Sequence, residues 1–141
     1  MKSKTLIVAS FCLLLGLAAA TANAQESVLQ AKVPFNFVVS GKTLIAGEYT
    51  MMILPHQVKI EDANGRIVAM VLATEVSDRS AARIGHIVFH CYRYRCFLSE
   101  VWLAARENGR QLLITRAEAE SAKGEKGQYF AVLGEKPQPR P

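Results

Sequence analysis

What this chain lacks narrows it more than what it contains. Its 141 residues include three cysteines, three histidines and one tryptophan, too few for a cysteine-rich scaffold or a dense metal-binding set. No serine sits in a G-x-S-x-G elbow, so the nucleophile of an α/β-hydrolase is missing. Strand-like runs do not alternate with helical ones, which excludes a parallel nucleotide-binding sheet. Nor is there a concentrated basic stretch. The formal net charge is +5, from 17 Lys and Arg against 12 Asp and Glu, and the charges are scattered and mixed in sign. Nucleic-acid binders gather basic residues on one face, so these charges read as solvated surface and no nucleic-acid partner is expected.

Long apolar runs are also scarce. The one candidate, residues 6–20, is about 15 residues, short of the roughly 20 that span a bilayer. Lys2 and Lys4 precede it and Ala22-Asn23-Ala24 follows as an A-x-A cleavage site, the three-part layout of a secretory signal. Cys12 does not read as a lipoprotein cysteine, because Phe11 stands where such a site needs a small residue. The expected organisation is a signal peptide over 1–24, a single β domain over 25–133 and a polar, Pro-rich, disordered tail over 134–141. Export follows, to the periplasm or beyond, with no stable membrane anchor after cleavage. The signal holds two of the 17 basic residues and none of the 12 acidic ones, so the mature excess falls to +3.

What is present is period-two patterning nearly throughout, the signature of strands. Val33, Phe35, Phe37 and Val39 alternate with Lys32, Pro34, Asn36 and Val38. A first strand is expected there, at an edge or at its own start, because Pro34 cannot donate to a ladder. Ser40-Gly41-Lys42 reads as a turn, residues 48–54 as the next strand and Pro55-His56 as another turn. Asn64-Gly65 predicts a hairpin pairing residues 58–63 with 66–75. Residues 67–73 are apolar on both faces, which suggests a central, covered strand. After a polar loop over 76–83, residues 84–92 and 95–105 form the next pair. Asn108-Gly109 then predicts a turn into residues 110–114. Thr115-Arg116-Ala117-Glu118 has the T-x-x-E form of a capping box, so a short helix should run to about Ala122 and stop at Gly124. A last strand is expected over 128–133. The fold class is all-β: an antiparallel sandwich or barrel of seven to eight short strands with one short C-terminal helix.

Candidate chemistry concentrates in residues 89–97, Phe-His-Cys-Tyr-Arg-Tyr-Arg-Cys-Phe. His86 and His90 share a strand face but sit about 13 Å apart at ~3.3 Å per residue, too far for one metal ion. His90 and Cys91 point to opposite faces unless a bulge intervenes. Cys91 and Cys96 fall directly opposite each other if Arg93-Tyr94 is the turn. For these two cysteines a disulfide, free thiols and a metal are the alternatives, and an oxidising compartment favours the disulfide. That register puts Glu100 opposite Ile87, on the face with Phe89, Leu98 and Trp102; either Glu100 lies near an open end or the register shifts. Tyr92, Arg93, Tyr94 and Arg95 are a candidate surface contact, since interleaved aromatics and arginines can stack on bases or sugars. Gly41-Lys42-Thr43 resembles the end of a phosphate-binding loop, but Asn36 stands where the first glycine belongs and no helix follows. His56 reads as a solvated turn residue. No catalytic residue, metal site or cofactor is assigned, and no enzyme is expected.

The order of motifs adds one further expectation. "VPFNFVVSGKTLIAGEYT", "IVFHCYRYRCFLSEVW" and "GRQLLITRAEAE", spread over residues 31–122, resemble an uncharacterised family of small exported bacterial proteins of acidobacterial type. That family has a V-P-F-x-F-x-V-x-G-x-x-L-P-A-G-x-Y start and a hairpin ending in F-L-x-x-V-W. Ile45 replaces the usual proline here, and the cysteines flank the hairpin tip. The resemblance implies an exported β domain and carries no catalytic residues across. The expected function is binding or a structural role at the cell envelope. The alternatives are a small-ligand carrier with an interior pocket and, more weakly, a metal or redox role for Cys91 and Cys96.

Overall fold

The computed structural model describes residues 27–78 and 84–135; the expected signal peptide over 1–24 and residues 136–141 of the expected tail lie outside them. The strands are β1 (Val28–Val33), β2 (Phe37–Val39), β3 (Lys42–Leu44), β4 (Gly47–Ile53), β5 (Gln57–Glu61), β6 (Ile67–Ser77), β7 (His86–Tyr92), β8 (Arg95–Trp102), β9 (Asn108–Leu112) and β10 (Gln128–Glu135). A helix, α1 (Arg116–Ser121), lies between β9 and β10. Eight strands close into an antiparallel barrel in the order β1-β4-β5-β6-β9-β8-β7-β10 and back to β1. Of the two all-β architectures the patterning allowed, the chain forms the barrel. The β2–β3 hairpin joins the wall through a parallel contact, Val38 opposite Phe97 of β8. On the hairpin's other strand, Lys42 Nζ donates to the Val68 carbonyl of β6 at 3.3 Å.

Alternation along the strands fills the barrel from within. Phe37, Phe89, Met51, Ile60 and Ile87 are fully buried in its interior, with Val33, Val58 and Val101 beside them. Phe89 meets Phe35 at 5.0 Å and Phe37 at 5.2 Å edge to face, and Phe37 meets Tyr49 the same way. Such aromatic pairs add about 0.5–1.5 kcal/mol each beyond their buried area. Tyr49 also donates its hydroxyl to the Ile45 carbonyl at 2.6 Å, and Asn36 Oδ1 accepts from the Ala46 amide at 2.9 Å. These contacts give the early V-P-F-x-F motif a packing role at one end of the barrel.

Several local expectations change. The first strand is two: Leu29, Ala31 and Val33 face inward on β1, and the chain breaks at residues 34–36 before β2 begins. Pro34, unable to donate, sits in the break and not within a ladder. Residues 67–73 are not covered on both faces. Val71 and Ala73 face the core, while Met70 and Leu72, paired with Lys59 and Gln57, are exposed on the outside. A barrel has one dry side, so an outward apolar residue meets solvent however apolar its neighbours are.

The two Asn-Gly pairs also differ from each other. At Asn64-Gly65 the hairpin forms, but only Gly65 takes a positive φ. Asp62 accepts from the amides of Asn64 and Arg66 at 2.9 and 3.0 Å, and these bonds, that from Arg66 foremost, hold its carboxyl below the usual value. Asn108-Gly109 is no turn. Both residues belong to β9, and the chain reverses at Ala104-Ala105, with Ala105 at φ 56°. The last strand continues through Gly134 and Glu135, which pair with Ala31 and Gln30 and close the barrel; the expected tail thus begins inside a strand.

Candidate functional site

Cys91 and Cys96 sit directly opposite each other on β7 and β8, with Cα atoms 4.0 Å apart, and are joined as a disulfide. The turn between their strands is Arg93-Tyr94, where Arg93 takes a φ of 48° without being glycine or asparagine. A bonded pair fits an oxidising environment. His90 pairs with Phe97 on the outer wall, whereas Cys91 belongs to the inner core, so the strand period separates the imidazole from the sulfurs. Glu100 does not face the core. A bulge leaves Ser99 without a partner, so that Phe89 pairs with Leu98 but Val88 pairs with Glu100. Beyond the bulge the faces exchange: Val101 is inside, while Glu100 and Trp102 are outside, with Glu100 Oε2 accepting from Trp102 Nε1 at 2.7 Å.

The four residues at the tip do not act as one patch. Tyr94 is 96% exposed. Arg93 pairs with Glu125 at 2.6 Å, and the Arg95 guanidinium lies over the Phe97 ring at 5.3 Å. Tyr92 is buried with Val38 and Phe97 on the outer wall, where Ala117 and Ala122 at the two ends of α1 pack against them. Gly41-Lys42-Thr43 forms the hairpin expected of a turn: Ser40 and Gly41 both take positive φ, and Val39 pairs with Lys42. His56 is exposed in its turn, and His86 stacks on Trp102.

Sequence reasoning missed a polar cluster under α1. Tyr92 Oη and His90 Nδ1 share a hydrogen bond of 2.9 Å, and Glu118 Oε1 lies 3.7 Å from the same nitrogen. The His90 ring stacks on Tyr129 at 4.2 Å. Glu118 is buried, and that burial raises its carboxyl above the ordinary 4.5. The Tyr92 hydroxyl is raised as well, by burial first and then by the charges of Glu118 and Tyr129. The T-x-x-E motif did mark a helix start, since Thr115 Oγ1 accepts from the Glu118 amide at 3.3 Å; what it did not disclose is that the Glu118 carboxylate faces His90. The arrangement is not a catalytic relay. A relay needs the acid and the nucleophile on different imidazole nitrogens, and here Tyr92 and Glu118 converge on one.

Among the described residues, one opening with room for a ligand lies beside the disulfide. It is a half-open bowl of about 610 Å³. Phe35, from the break between β1 and β2, and the disulfide of β7 and β8 are among its lining. Gln128 and Phe130, at the start of β10, line one side. Its charged residues are Arg93, Glu125 and Lys126. Phe37, Phe89 and Met51 are fully buried in the barrel, and the bowl forms a mouth beside the disulfide. Its contributors come from three separate stretches: residue 35, residues 91–96 and residues 125–130. Among the described residues, no group of three or more His, Cys, Asp and Glu is placed to hold a metal ion. Comparison of the chain with protein-family models, with curated proteins and with solved structures finds no match.

Proposed function

We propose that the chain is exported and works by binding, holding a small, largely apolar ligand in the mouth of the barrel. The observation that carries this reading is the bowl: about 610 Å³, lined by two phenylalanines and a disulfide, with its charged groups alongside. Small-molecule sites are concavities of roughly 300–1,000 Å³ with apolar walls and a few polar groups. Capture suits the site better than catalysis. Its two sulfurs are tied to each other, and no histidine is among its lining residues. Export rests on the layout of residues 1–24 and on the disulfide, a bond that oxidising compartments preserve.

Titration with neutral phenylnaphthylamine, followed by its fluorescence, tests the proposal. We expect single-site saturation that Phe130→Ala weakens on the order of fivefold or more. Absence of saturable binding, or indifference to Phe130→Ala, would sink it. A second reading, a protein partner on the outer wall, draws support from the exposed Met70, Leu72, Leu113 and Ile114. It predicts that proteins co-purifying with the exported chain are lost on Leu72→Lys while probe binding is retained.

A further inference from the structure

The charges of the bowl do not cancel. Arg93 and Glu125 form an ion pair at 2.6 Å, which neutralises both. Lys126, next in sequence to Glu125, also lines the bowl and has no ion pair among the described residues. Phe35, the disulfide and Phe130 present apolar surface in the same bowl, and Gln128 adds an uncharged amide that can both donate and accept. One uncompensated ammonium beside an aromatic-lined concavity matches a ligand with a flat apolar body and a single anionic group, because the body is desolvated against the rings while the anion meets the cation at the half-open edge.

Resting on the binding role proposed above, we infer that the ligand is a small anionic amphiphile, such as an aromatic or short aliphatic carboxylate or sulfonate, whose charged group is read by Lys126. The Arg93–Glu125 pair sharpens this choice. It presents no net charge to a ligand, yet a second anionic group would have to compete with Glu125 for Arg93. Selectivity should therefore favour one negative charge over none and over two.

A matched pair of probes tests the inference: anilinonaphthalene sulfonate, and neutral phenylnaphthylamine with the same ring body. Both are titrated against the full mature protein in low salt and against Lys126→Glu, Phe130→Ala and Leu72→Lys. We expect the sulfonate to bind more tightly than the neutral probe by on the order of fivefold, as suits one partly exposed charge pair. Lys126→Glu should abolish that preference by weakening the sulfonate more than the neutral probe, and added salt should narrow it. If both probes bind equally and Lys126→Glu affects neither, the anion inference fails while the binding role stands. If neither probe saturates, or if Leu72→Lys rather than Phe130→Ala removes binding, the binding role at the mouth fails and the inference with it.

Discussion

At the scale of single residues, close approach explains positions whose sequence context suggests something else. Gly109 follows an asparagine and looks like a turn glycine, but it lies in β9 opposite Trp102, and a Cβ there would sit 2.6 Å from the indole. Gly109→Ala should displace that ring and cost about 1–3 kcal/mol, the usual range for overpacking. Trp102 is the single tryptophan in the chain, so a shift of its emission in the folded variant, together with a lower urea midpoint, reports the displacement directly; unchanged emission and midpoint would refute the packing role. Glu118 makes a prediction of opposite character. Its carboxyl is raised by burial above the ordinary 4.5, so the folded state favours the protonated form. A raised value means a stabilising contribution that is complete below the ordinary value and is lost as pH rises through the folded one. Wild-type stability relative to Glu118→Gln should therefore fall as pH rises above 4.5 in urea titrations. A rising difference would show that the carboxylate gains more from His90 than it loses to burial.

Single strands and turns were the most legible level, because period two and turn chemistry are local. The pairing of residues 58–63 with the segment after Asn64-Gly65, the α1 start at Thr115 and the Cys91–Cys96 pairing all follow from neighbours in sequence. Where those rules failed, an element had been altered by something the pattern does not encode. The bulge at Ser99 is the clearest case, since it lets β8 keep Cys96 and Leu98 inside at one end and Val101 inside at the other. Deleting Ser99 removes only the unpaired residue, so Phe89 with Leu98, Val88 with Glu100 and Cys91 with Cys96 should keep their pairing, with Glu100 still outside. We expect no free thiols on titration with Ellman's reagent, and cooperative unfolding by circular dichroism. Free thiols or non-cooperative unfolding of the deletion variant would show that Ser99 is not a simple inserted residue and that the register depends on it.

For the whole molecule, closure is what holds the parts. β10 seals the wall by pairing with β7 on one side and β1 on the other, and Gly134 gives the Leu29 side chain room at that seam, where any Cβ would collide with it. The disulfide is secondary to this closure. It spans five positions in sequence, and so short a loop removes little chain entropy, about 2 kcal/mol. The double variant Cys91→Ser with Cys96→Ser should therefore fold to the same barrel, with a urea-derived stability lower by about that amount and a bowl that still binds the neutral probe. Failure of the double variant to fold would mean that the barrel depends on the bond.

The amino-acid sequence by itself determined the strand period, the positions of most turns, the capped helix and the facing of the two cysteines, because each depends on residues within a few positions of one another. It could not distinguish barrel from sandwich. That choice rests on the pairing of β1 with β10 and of β6 with β9, segments far apart in the chain whose alternation would serve either architecture. The candidate site was hidden for the same reason. Phe35, the Cys91–Cys96 hairpin and residues 125–130 carry no common motif, and only the closed wall brings them around one opening.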